Sequence, residues 1–197
     1  MRAKPPKWAE ALLRTLLAPG DFETVSGDLL EEFRDRIGPT RETRDANVWY
    51  VTQVLGFVLR SARPWAVLFG GTVLTRTALD WFAPPSDFHI RAAVSTGLGV
   101  GILLAAGLGA SWRSRSPAAG TCAGVATAVF GAAISITGAA ALLAIRHDAQ
   151  TMAAIRGSGG LGEVFVLPVM MILPGVLLGT VGGVVGGTVA KCLKRST

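Results

Sequence analysis

The sequence predicts an all-α integral membrane protein, with a small cytoplasmic three-helix head followed by about four transmembrane helices. Three observations lead there. Apolar residues make up 50 % of the 197-residue chain, charged residues only 16 %, and there are 25 glycines. That composition suits lipid better than it suits a soluble enzyme. Four stretches approach the roughly 20 apolar residues that a helix needs to cross a hydrocarbon core of about 30 Å. Charge is also unevenly placed: residues 1–63 hold ten Lys/Arg against nine Asp/Glu, while the remainder holds nine against four, mostly beside apolar runs. The net charge of +6 therefore reads as a topology signal and not as a phosphate-binding face. No direct nucleic-acid partner is expected.

The head, residues 1–63, reads as three helices. Trp8, Leu12, Leu13, Leu16 and Leu17 recur at helical spacing, and Pro19-Gly20 is the expected stop. No long apolar core or small-residue cleavage site marks this segment as a secretory signal. In the second helix Phe22, Val25, Leu29 and Phe33 repeat the pattern, with Asp21 as expected N-cap and Gly38-Pro39 as expected stop. The acids Asp28, Glu31, Glu32 and Asp35 fall on its other face, with Glu31–Arg34 and Glu32–Arg36 spaced for surface ion pairs. Those four acids are the candidate partner-binding residues. A third helix is expected over about 41–59, with Trp49 and Tyr50 seated at the lipid headgroups.

Three motifs in this head carry a resemblance. The run P-P-x-W-A-x-x-L-L-x-x-L-L (Pro5 to Leu17) is followed by G-D-L-x-E-E-F (Gly27 to Phe33) and A-x-x-W-Y-x-x-Q-V-L (Ala46 to Leu55). In that order, over about residues 5–59, they resemble the permease prefix domain. That module stands at the N-terminus of bacterial FtsX-like ABC permeases, and related heads occur on small membrane proteins associated with PadR-type regulators. The resemblance implies a docking or signalling head whose partner is a PadR-type regulator or an ABC transport component. FtsX-like permeases add a large extracytoplasmic domain, for which this chain has no room.

The spans are expected at 64–83, 92–112, 118–145 and 164–190, with a basic tail at 191–197. The first contains Arg76 and Asp80. Its seven Leu, Val and Phe residues favour insertion by roughly 2 to 4 kcal/mol, against about 2.5 to 3.5 kcal/mol for each central charge. Pairing of Arg76 with Asp80 four residues on, in a membrane-embedded ion pair, and the place of Asp80 near the end of the span favour insertion, with neighbouring helices expected to supply the remainder. The second span carries Gly97, Gly101, Ala105 and Gly109 at four-residue spacing, and the last carries Gly175, Gly179, Gly183 and Gly187. Such seams let backbones approach closely, within the bundle or in a homo-oligomer. Pro168 and Pro174 allow a kink at the start of the last span.

With four spans, Arg44, Arg60, Arg63, Arg113, Arg115, Lys191, Lys194 and Arg195 flank one side. Only Arg91, Arg146 and Arg156 flank the other. The positive-inside rule then puts both termini in the cytoplasm of a bacterial inner membrane. The longest exterior loop is expected at about 146–163, with 156–163 a flexible connector. Cys122 and Cys192 have no metal-ligand spacing, histidine occurs only at 89 and 147, and His147 with Asp148 reads as a surface pair. No metal, no cofactor and no enzymatic activity are expected. The leading functional reading is a non-enzymatic accessory or signalling protein; the alternative is a small transporter or permease subunit built on the glycine-rich bundle and the Arg76–Asp80 pair.

Overall fold

A computed structural model describes residues 4–37, 43–146 and 148–195, the side chains at 19, 194 and 195 excepted. These residues form eight helices and, among them, no strand: α1 (Lys7–Leu16), α2 (Pro19–Arg36), α3 (Thr43–Phe82), α4 (His89–Ser114), α5 (Pro117–Ile145), α6 (Ala149–Gly157), α7 (Gly160–Met170) and α8 (Ile172–Arg195). Three segments are long and apolar enough to cross a membrane: His89–Ser114, Pro117–Ile145 and Gly160–Leu193.

The amino-terminal helices share a small core. Leu13 of α1, Phe33 of α2 and Tyr50 and Val54 of α3 are all essentially buried there. The expected helix boundaries need correcting. Pro19-Gly20 opens α2 instead of closing α1, because proline at the first helical position has a pre-set φ and no needed N–H. Ala18, not Asp21, is the N-cap; Asp21 lies in the first turn, where its charge suits the helix dipole. The expected stop at Gly38-Pro39 and the start at Arg41 lie outside the described residues, as do His147 and the last two residues of the tail. Tyr50 does not take the expected headgroup position. Tyr50 is 1 % exposed and meets the Phe33 ring edge-on at 5.8 Å. Trp49 lies under the Arg36 guanidinium at 4.5 Å.

The third head helix and the first expected span are one helix of 40 residues, α3, about 60 Å long. Pro64 sits inside it and removes one backbone hydrogen bond. Packing on both sides carries the helix through: Ala62 and Ala66 are buried, with Ala62 clustered against Ala126 of α5.

Glycine contacts define the bundle. Gly70 meets Gly131 and Ile134, and Gly138 meets Leu74, so α3 and α5 run in the same direction. Gly182 meets Leu104 and Gly186 meets Leu108, so α4 and α8 are likewise parallel; Gly120 on Gly183 and Gly124 on Gly175 make α5 and α8 antiparallel. The result is an up-down-up-down bundle. Much of its interior is made of small residues, including Gly107, Ala123, Gly124, Thr127 and Ala128, around a few buried large ones such as Phe69, Leu103 and Trp81, while many large apolar side chains face outward: Ile90 is 69 % exposed and Leu173 67 %. A water-soluble bundle reverses this distribution; a bundle solvated by lipid tails has it.

The expected loop at 146–163 is also corrected. Asp148 caps α6, its Oδ1 accepting from the Thr151 N–H at 2.8 Å. That hydrogen bond holds the Asp148 carboxyl below the usual carboxylate range. Thr151 and Ile155 then bury, with Ile155 joining Trp81 and Ala139. The glycine-rich connector is a tight turn, with Gly159 at φ 113° and Gly160 at φ 80°, both in the region glycine tolerates best. The expected span 164–190 is split at Met171, between Pro168 inside α7 and Pro174 in the first turn of α8.

Candidate functional site

The acidic face comes first along the chain. The apolar stripe of α2 buries Leu29 and Phe33, which turns Asp28, Glu31, Glu32 and Asp35 outward, and all four are exposed. Glu32 accepts from Arg36 at 2.9 Å. Arg36 also stacks on Trp49, so one guanidinium ties α2 to α3. The expected Glu31–Arg34 pair is not formed among the described residues. No group of three or more His, Cys, Asp or Glu is disposed to hold a metal among the described residues.

The second candidate is charged and largely buried. Arg76 Nε lies 3.3 Å from Asp80 Oδ2, one turn along α3, and Asp80 is 3 % exposed. Two further residues complete the cluster. Arg76 Nη2 donates to Glu163 Oε1 at 2.8 Å, which joins α3 to α7. Arg91 Nη1 donates to Asp80 Oδ1 at 3.3 Å and to the carbonyls of Leu79 and Ala83, both at 2.9 Å. A guanidinium thus bonds two carbonyls at the end of α3, that of Leu79 also accepting from the Ala83 N–H, while pairing its buried acid. Two cations and two carboxylates leave the cluster formally neutral, which offsets part of the cost of desolvating each charge. Sequence reasoning missed Glu163, placed in a connector, and Arg91, counted only as a topology marker. The signal available for Glu163 was a lone acid at the edge of an apolar run.

Beside this cluster lies a cavity of about 30 Å³ lined by Arg76, Thr77, Asp80, Trp81 and Glu163 among others. Trp81 Nε1 is buried with no acceptor among the described residues. The space suffices for one or two water molecules, which would satisfy that donor.

The glycine seam of α8 lies inside the bundle. A methyl group at Gly179 would collide with the backbone of Gly120 and Gly124, and one at Gly183 with the Pro117 carbonyl. A Cβ at Gly175 would meet Gly124 and Ala128; at Gly187 it would make only ordinary contact with Pro117. Gly97 and Gly101 of α4 face open space instead. Cys122 is half-buried and Cys192 exposed, both as free thiols. No protein-family model, curated protein or solved structure matches the chain.

Proposed function

We propose that this chain is a multi-pass bacterial inner-membrane protein with both termini in the cytoplasm. It acts as a non-enzymatic accessory or signalling protein, docking a cytoplasmic partner through its amino-terminal helices. One observation carries the reading. α3 runs unbroken from the amino-terminal core to Phe82, contributing buried residues at both ends, from Ala46 and Tyr50 to Asp80 and Trp81. A partner held on α2 is therefore linked to the membrane bundle through the continuous α3, alongside the contact of α1 with α5, and movement of one tilts the other. In this reading residues 64–83, the second half of α3, are a fourth crossing, and their Arg76 and Asp80 are tolerated because they are paired.

The acids Asp28, Glu31, Glu32 and Asp35 give the partner-facing surface its negative charge. The order of motifs in residues 5–59 resembles the permease prefix domain, and this supplies the partner class: a PadR-type regulator or an ABC transport component. Charge reversal at Asp28 and Glu32, followed by crosslinking from α2 in intact cells, tests the proposal. Loss of the crosslinked partner, with the protein still in the membrane fraction, is expected. Unchanged partner recovery counts against docking on this face.

A second reading, a small transporter or permease subunit, is favoured by one specific observation. The Arg76–Asp80–Arg91–Glu163 cluster joins three helices, and its Arg76, Asp80 and Glu163 line a small cavity. Ionisable groups so placed in lipid are functional candidates by default. Combined replacement of Arg76 by Gln and Asp80 by Asn separates the readings: a docking protein keeps its partner response, and a transporter loses flux.

A further inference from the structure

We propose that the groove between the second half of α3 and the first half of α4 holds one anionic phospholipid of the outer leaflet, with an acyl chain along the groove and the phosphate on Arg91. The inference goes beyond partner docking and rests on the crossing by residues 64–83. The groove has a volume of about 510 Å³, within the ~300–1,000 Å³ of small-ligand sites. Val67, Leu68 and Leu79 form one wall and Ile90, Val94 and Leu98 the other. Gly71 lies between them, and a Cβ there would meet no atom within 4 Å. The Thr72 hydroxyl donates to the Leu68 carbonyl at 2.8 Å, so it presents no open donor to a hydrocarbon chain.

Length and charge identify the occupant. From Val67 to Leu79 the helix rises about 18 Å, so an acyl chain whose headgroup lies at Arg91 runs along the groove past the midplane of the roughly 30 Å hydrocarbon core. Among the described residues, the ionisable ones in the walls are Arg76 and Arg91, at the end of the groove nearest the α3–α4 turn; Asp80 and Glu163, which pair with them, do not line it. Arg91 makes its three hydrogen bonds through Nη1. The Nη2–Nε edge of its fork is thereby left for a further acceptor, and its side chain is 30 % exposed. A guanidinium edge at headgroup depth beside an elongated apolar groove matches phosphate oxygens joined to an acyl chain.

Native mass spectrometry of the full-length protein, purified in detergent and given phosphatidylglycerol, phosphatidylcholine or inorganic phosphate alone, tests this. One phosphatidylglycerol per chain should be retained, about tenfold over phosphatidylcholine. Gly71→Leu starts from a Cβ position that meets no atom within 4 Å and projects into the groove, so it should abolish retention; Arg91→Gln should erase the headgroup preference. Equal retention of both lipids, undiminished retention by Gly71→Leu, or displacement of the lipid by inorganic phosphate would overturn the proposal. The crossing itself is tested separately by the accessibility of Thr72→Cys to an impermeant thiol reagent in intact cells. Labelling there would remove the membrane setting of residues 64–83, whereas protection with no retained lipid would refute the groove alone.

Discussion

At the scale of single residues, the chain has one tyrosine, and it sits in the centre of the amino-terminal core. Burial raises the Tyr50 phenol above its ordinary value of 10.0, and the nearby Glu10 charge pushes the same way. The native state therefore binds this proton more tightly than the unfolded chain does. The resulting stability is complete below the ordinary value and is lost as pH rises through the higher native one. Phenolate absorbance should accordingly appear late, together with loss of tertiary structure in the amino-terminal helices. A titration at the ordinary value with the fold intact would contradict the packing. Asp80 supports a second prediction. Asp80→Asn leaves Arg76 with Glu163 but removes the acid shared with Arg91, so stability should fall by about 3 kcal/mol. Thermal unfolding in detergent measures the loss, and Asp80→Asn with Arg91→Gln should cost less than the two changes added. The site was only half legible in advance for a physical reason. Arg76 and Asp80 share a helix, and a four-residue spacing predicts their meeting. Glu163 reaches Arg76 from 87 positions away, through tertiary packing that no local pattern encodes.

At the scale of elements, the glycine contacts make a prediction with a built-in control. Gly124→Ala places a methyl group against the backbone of Gly175 and Gly179, which cannot move aside as a flexible side chain would. The α5–α8 contact must open, and overpacking of this kind costs about 1–3 kcal/mol. Gly97→Ala and Gly101→Ala meet nothing and should leave the melting temperature unchanged or slightly raised, since alanine favours helix. Equal effects at all three positions would show that helix propensity, not the internal seam, governs stability. Elements set by local physics were readable from the sequence: α4 and α5 are long apolar runs bounded by charge and proline, and they extend only a few residues past the expected limits. Elements set by tertiary contact were not. Pro64 reads locally as a boundary, yet buried Ala62 and Ala66 on either side hold α3 in one piece. Polarity and glycine made 146–163 read as loop, whereas an Asp148 cap and burial of Ile155 turn its first half into α6.

At the scale of the whole molecule, the fate of residues 64–83 decides which compartment the acidic face of α2 meets. If they cross, both termini share a side; if they do not, the head and the carboxyl-terminal tail lie on opposite sides. The packing supports a shared side. Leu12 and Leu16 of α1 lie with Ala126 and Phe130 of α5, and Pro117 at the start of α5 lies beside Gly183 and Gly187 of α8. The amino-terminal core thus stands at the end of the bundle where α8 finishes, with Arg113 and Arg115 closing α4 nearby. Head and tail can lie on opposite faces of a bilayer only if α1 leaves α5. Native Cys192 is exposed near that end, so it serves as the probe once Cys122 is replaced by Ala. An impermeant maleimide on intact cells should spare Cys192 and a cysteine placed at Glu23, and should label one placed at Gln150, with all three reacting after permeabilisation. Labelling at Glu23 with protection at Cys192 would mean that α3 does not cross, and the acids of α2 would then face the exterior instead of a cytoplasmic partner.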